Sequence, residues 1–235
     1  CSFETLEGAV DAVIMAIQSG LPLARAELLD EVAMDGVNRF SKLNCPVLPT
    51  LFFEFHGTER GVAEQAEMLG EIVRDHGGGD FRWATKAEER SKLWQARHDA
   101  YYAALAMRPG AKGWATDACV PISRLAECLL ESKRDIEDSG LLAPIVGHVG
   151  DGNFHLCLII DPDDKDEMAK AEALNERMVL RTLAMGGTCT GEHGIGTGKM
   201  KFLLAEHGEA VSVMRQVKSA LDPDNIMNPG KMLRV

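Results

Sequence analysis

The chain has no C-x-x-C pair. Its six cysteines, Cys1, Cys45, Cys119, Cys128, Cys157 and Cys189, are scattered. That excludes a zinc ribbon and a dense disulfide frame, and it points to a reducing compartment with free thiols. No apolar run approaches the roughly 20 residues needed to cross a bilayer, and no stretch carries a signal-peptide pattern. The expected location is cytoplasmic, or peripheral at the inner face of a respiratory membrane. Positive charge is scarce: 25 Lys and Arg stand against 36 Asp and Glu, a formal net charge of −11. That balance excludes nucleic acid as a partner. It also means that an anionic substrate needs a local cluster of cations. Gly77-Gly78-Gly79 lacks the Lys-Ser/Thr of a phosphate loop and reads as a helix stop and turn. What remains is 235 residues, 46% hydrophobic, enough for one large domain or two small fused ones.

The most informative stretch is G-H-V-G-D-G-N-F-H, Gly147 to His155, between the apolar runs 143–146 and 156–160. Asp151-Gly152 flanked by hydrophobics is a strong hairpin signal. Counting outward from a two-residue turn sets His148 opposite His155, on one face of the sheet. Two imidazoles aimed at one point are half of a metal site, and for a register-matched pair that reading is favoured over two satisfied histidines on a polar sheet face. A second stretch, Gly186 to Gly196, reads G-G-T-C-T-G-E-H-G-I-G. Its glycine density marks a loop with unusual backbone angles and a close approach to something else. Glu192 supplies the third ligand beside His148 and His155, and three protein ligands leave positions open for substrate. His193 is the candidate base. Consecutive side chains in an extended loop point apart, so Glu192 and His193 are expected to face different ways.

These two stretches, with A-L-D-P-D-N-I-M-N-P-G-K at 220–231, resemble the C-terminal half of the FAD-linked 2-hydroxyacid oxidoreductases. That family includes the cytochrome-type D-lactate dehydrogenases, the glycolate oxidase large subunit and D-2-hydroxyglutarate dehydrogenase, and the first of these is the nearest. The resemblance runs over 1–235. It implies an α+β fold, with an antiparallel sheet, helices on one side and a duplicated ferredoxin-like cap over the flavin. It also implies that a flavin-binding domain precedes Cys1, so that FAD is held mainly outside this chain. Implied partners are a small 2-hydroxy acid, an electron acceptor such as cytochrome c, a quinone or electron-transfer flavoprotein, and a second copy in a homodimer.

Periodicity orders the rest. Helices are expected over 7–20, from an N-cap at Asp30 to Phe40, and over 62–76, 86–107 and 122–138. Another opens at Asp161-Pro162-Asp163-Asp164 and buries Met168, Ala171, Leu174 and Met178, and a last pair follows Gly196. Strands are expected over 22–29, 51–56, 81–84 and 113–120. On the 86–107 helix, Trp94, Arg97, His98 and Tyr101 share one neighbourhood. Arg97 offers the planar fork that suits a carboxylate, and Lys112 a point charge. Both also fit solvated surface. The resemblance favours substrate contact, because family members place an Arg on this helix and a Lys shortly after it against the substrate carboxylate. Tyr101 stands where D-2-hydroxyglutarate members carry a small hydroxyl residue, and Cys157 where they carry an Asn. Both departures favour a short substrate. Asn228 and Lys231, with Lys199 and Lys201, are candidates for flavin contact.

The expected chemistry is oxidation of a D-2-hydroxy acid, D-lactate first, to the 2-oxo acid. Zinc is the first choice for two His and one carboxylate, followed by manganese or iron. Glycolate or D-2-hydroxyglutarate is the alternative substrate. A metal-dependent hydrolase and a non-catalytic metal-stabilised domain are the alternatives of another class.

Overall fold

The computed structural model describes residues 1–233. Six strands form one antiparallel sheet: β1 (Leu23–Leu29), β2 (Thr50–Phe55), β3 (Lys112–Ala115), β4 (Ala118–Cys119), β5 (Ile145–His148) and β6 (Asn153–Ile160). Their order is β2-β1-β5-β6-β3, and β4 also pairs with β6. Eight α-helices surround the sheet: α1 (Leu6–Gln18), α2 (Glu31–Ser41), α3 (Glu59–Asp75), α4 (Ala87–Ala106), α5 (Leu125–Ser139), α6 (Lys165–Ala184), α7 (Met200–His207) and α8 (Ala210–Leu221). The chain is α+β, and no helix among the described residues is long and apolar enough to cross a membrane.

Strand side chains alternate between faces, and the two faces have separate cores. Leu28, Ile145, Leu156, Leu158 and Ile160 face α1, α3, α5 and α6. Leu29, Val146, Cys157 and Ile159 face the packed pair α2 and α4. The expectation of helices on one side describes the larger layer, and α2 with α4 adds a smaller second one. Half-buried β6 would alternate polar and apolar residues, but all eight of its residues are buried, which accounts for its continuous apolar run. All six cysteines are free thiols.

Three local expectations need correction. Residues 81–84 form no strand. Their rings instead cap β2: Phe81 lies 6.3 Å from Phe53, Trp83 lies 6.5 Å from Phe55, and the two rings are 4.9 Å apart. The hairpin is not closed by a two-residue turn. His148 opposes Asn153 and Val146 opposes His155, with a short 3₁₀ turn over Val149–Asp151. Asp151 does not take the positive φ a type I′ turn demands, whereas Gly152 does, at 78°. The single strand expected over 113–120 is broken into β3 and β4. The register is continuous across the break, since Ala115 opposes Cys157 and Ala118 opposes Phe154.

Asp30 caps α2 and pins β1. Its Oδ1 accepts from the Ala33 N–H at 2.8 Å and its Oδ2 from Lys133 Nζ at 2.8 Å, and the side chain is fully buried. Asp30→Ala removes the cap and one of the two carboxylates that pair the largely buried Lys133 ammonium. It should cost about 3–5 kcal/mol, read as a lower denaturant midpoint at unchanged m-value. A midpoint equal to the parent's would mean that Lys133 is satisfied by Glu31 alone.

Candidate metal and substrate site

The site is built where β5, β6 and the 186–196 loop meet. His148 ends β5 and His155 lies on β6. The register shift of two relative to a two-residue turn keeps both on one face, because side chains alternate with period two. Their ring centroids are 5.7 Å apart. Gly191 carries the loop over Asn153, where a Cβ would stand only 2.7 Å from Asn153 Cγ. That approach brings Glu192 down onto the histidines. Its Oε1 is 2.9 Å from His155 Nε2 and 3.4 Å from His148 Nε2. One ligand atom from each of the three residues falls within 4.8 Å of the others.

The outer shell fixes the tautomers. His148 Nδ1 donates to Glu27 Oε1 at 2.7 Å. His155 Nδ1 donates to the Thr116 carbonyl at 2.8 Å. Each Nε2 is thereby left as the lone-pair nitrogen facing Glu192, the arrangement a metal ligand requires. The donor set therefore fits a divalent cation. The break between β3 and β4 makes the second of these hydrogen bonds possible. The Leu156 N–H bonds the Thr116 hydroxyl at 2.9 Å instead of its carbonyl, and the freed carbonyl turns to His155. The hydrogen bond it donates to the Glu27 carboxylate raises the His148 pKa. Burial lowers that of His155, with His193 acting in the same direction and the Thr116 carbonyl opposing it.

His193 does not point away from Glu192. Its ring stacks on His155, with centroids 4.8 Å apart and planes at 14°, and its Nε2 is 3.6 Å from Glu192 Oε1. The loop is not extended: the successive N–H groups of Glu192 and His193 both turn inward to Asp117 Oδ2, at 3.1 and 2.9 Å. Three imidazoles and one carboxylate thus share one cluster.

A cavity of about 280 Å³ opens beside it, lined by Arg25, Glu27, Trp94, Arg97, His98, His148, His155 and Glu192. Arg97 Nε is held by Glu27 Oε2 at 2.9 Å, and one of its terminal nitrogens lies 3.5 Å from His148 Nε2. Arg25 lies over the Trp94 ring at 5.3 Å. Tyr101 does not line this cavity. Its hydroxyl is 3.5 Å from the Gly113 carbonyl on β3. Lys112 is exposed at the far end of β3, opposite Ile160, four residues from Thr116 and so about 13 Å along the strand. Asn228 and Lys231 lie in an exposed C-terminal turn, Asn228 with φ at 46°, and neither lines the cavity.

Glu27, Thr116 and Asp117 were not expected from the sequence. The available signal was an acid two residues from Arg25 in a strand that is otherwise apolar for Glu27, and a lone acid in a run of small residues for Asp117.

The comparisons with known proteins agree with this architecture. A 4-ethylphenol oxidase of Gulosibacter chungangensis, in complex with isoeugenol, superposes with a TM-score of 0.72 over 98% of this chain and 52% of its own, at 16% identity, which shows a shared fold. A probable mitochondrial D-lactate dehydrogenase of Danio rerio is 51% identical over all of this chain and 48% of its own length. A mitochondrial cytochrome-type D-lactate dehydrogenase of Arabidopsis thaliana is 45% identical, over 99% of this chain and 41% of its own. The glycolate oxidase subunit GlcD of Escherichia coli K12 is 30% identical, over 98% and 46% respectively. The chain spans under half the length of these three relatives. Residues 1–232 match the family of FAD linked oxidases, C-terminal domain, and the chain belongs to that family.

Proposed function

We propose that this chain is the substrate- and metal-binding part of a flavin-dependent dehydrogenase that oxidises a short D-2-hydroxy acid, D-lactate first, to the 2-oxo acid. The observation that carries the reading is the convergence of two tautomer-fixed Nε2 atoms and the Glu192 carboxylate beside a half-buried arginine. His148, His155 and Glu192 would hold the cation. Bound there, a divalent cation supplies a Lewis acid that lowers the pKa of the substrate hydroxyl and orients it. A flavin held by the rest of the protein supplies the acceptor of the α-hydrogen as hydride.

This chain's residues do the remaining work. Arg97 grips the carboxylate with its terminal nitrogens, while Glu27 keeps the guanidinium aimed through Nε. His193, exposed enough for substrate to reach, accepts the hydroxyl proton. Trp94 and the Arg25 stacked on it wall the cavity. Lys112 stands too far along β3 to share the grip in this conformation; Tyr101 and Lys112 would reach substrate only by side-chain rearrangement. Asn228 and Lys231 suit contact with the flavin-binding part. A cytochrome c, a quinone or electron-transfer flavoprotein would then reoxidise the flavin.

The test is anaerobic. The intact flavoprotein should bleach on adding D-lactate, lose that response after dialysis against a chelator and regain it with zinc, manganese or iron(II). Bleaching that a chelator leaves untouched would remove the metal from the reaction. Phosphoester or amide hydrolysis with no bleaching would favour the hydrolase instead.

A further inference from the structure

We propose that Asp117 is the positioning residue of the site, a buried carboxylate whose one oxygen sets the backbone of Glu192 and His193 and so aims both side chains. The inference rests on the oxidoreductase reading above. Asp117 is fully buried in the break between β3 and β4. Its Oδ2 accepts from the Glu192 N–H at 3.1 Å, the His193 N–H at 2.9 Å, the Thr190 hydroxyl at 2.8 Å and Lys199 Nζ at 3.2 Å. Among the described residues these are the only hydrogen bonds of the two loop N–H groups. Successive N–H groups closing on one oxygen form the concavity that elsewhere binds anions, and here the protein's own carboxylate fills it.

The geometry explains how the tip of the loop is held. Residues 190–193 belong to no helix or strand, and the Glu192 and His193 side chains are 46% and 42% exposed. Beside the stack of His193 on His155 and the approach of Gly191 to Asn153, these hydrogen bonds are what holds the two residues within reach of His155. Fixing the peptide between them fixes both Cα–Cβ directions at once. The other oxygen, Oδ1, is buried without a hydrogen-bond partner, 3.9 Å from His155 Nδ1. It therefore also places negative charge beneath the histidine to which Glu192 comes closest. Burial pushes the Asp117 carboxyl up, but the His193 N–H, the Thr190 hydroxyl, the Glu192 N–H and Lys199 together hold it well below the usual range.

The test is Asp117→Asn in the full-length flavoprotein. The substitution is isosteric but uncharged, so Lys199 and the two N–H groups lose their anion. Metal affinity, measured by competition with a chromophoric chelator, should fall about 10–100-fold, the usual effect of losing an outer-shell partner. At saturating metal, kcat should remain depressed, because His193 is displaced as well. A merely structural aspartate would lower Tm and leave the chelator competition unchanged. Metal affinity within about two-fold of the parent's, well short of an outer-shell effect, would overturn the role. Should the variant not fold, the parent still decides. The amides of Glu192 and His193 should resist hydrogen exchange despite lying in an exposed loop, and exchange as fast as at Gly194 overturns the inference. A parent that takes up no metal overturns the reading of the site and this inference together. A parent that binds metal beside a variant that binds it equally overturns Asp117 alone.

Discussion

Glu192→Ala is expected to lose the metal and the activity together. The carboxylate is the hub of the cluster: its Oε1 is 2.9, 3.4 and 3.6 Å from an Nε2 of His155, His148 and His193 respectively. Without it, two neutral imidazoles must hold a dication beside the Arg97 guanidinium, one of whose nitrogens lies 3.5 Å from His148 Nε2. A site with one ligand fewer and a nearby cation does not retain a divalent ion at ordinary concentrations. Folding should survive, because the Glu192 side chain is half exposed and the loop backbone is tied to Asp117. Elemental analysis of the purified variant should give metal well below one equivalent, with D-lactate turnover falling in proportion. Glu192→Gln should fall between variant and parent, since an amide oxygen can still ligate but brings no charge. A variant holding a full equivalent of metal would move the site away from this cluster.

How much of this arrangement was legible depends on how local each feature is. Asp30 as an N-cap, α1, α2, α4 and α6 follow from patterns inside one element, and each lies within a few residues of its expectation. The pairing of His148 with His155 on one face holds despite an incorrect register. Their opposed partners are Asn153 and Val146, a slip of two, and only an odd slip would have put them on opposite faces. Had the turn been one residue different, the two imidazoles would have faced opposite sides of the sheet.

The outer shell, by contrast, comes from far along the chain. Glu27 is joined to Arg97 and His148, 70 and 121 residues away, and no window of sequence contains both partners. Thr116 and Asp117 look like two residues of an ordinary strand. Their roles arise from a broken ladder, in which a hydroxyl takes the place of a carbonyl at Leu156 N–H. The inward turn of Glu192 and His193 was equally hidden. An extended loop sends neighbours apart, and only the buried carboxylate of Asp117 reverses that expectation. Lys112 shows the converse limit: a suitable charge at a suitable sequence distance lies at the wrong end of its strand.

His193→Ala is expected to keep the metal and lose about 10²–10⁴-fold in kcat, the usual contribution of a general base. The convergence of all three imidazoles on Glu192 makes this the sharper test, since His193 now stands near enough to compete for ligation. Two features assign it the proton instead. His148 and His155 each have Nδ1 committed to an acceptor, Glu27 and the Thr116 carbonyl, which leaves Nε2 bare for a cation. Among the described residues the His193 ring has no such anchor, and its contacts are the stack on His155 and the 3.6 Å approach to Glu192. A ring held only by stacking is free to meet a substrate hydroxyl and to release a proton to solvent. Removing it deletes one face of the His155 packing, a loss of about 0.5–1.5 kcal/mol by analogy with aromatic pairs, too little to empty a three-ligand site. Metal content should therefore remain near one equivalent while kcat collapses and KM for D-lactate changes little, because the proposed grip of Arg97 on the carboxylate is left intact. Loss of metal from His193→Ala with retention in Glu192→Ala would exchange the two roles. Full metal together with parent-like turnover would leave the hydroxyl proton to another group, and His98, exposed on the cavity wall, would be the next to substitute.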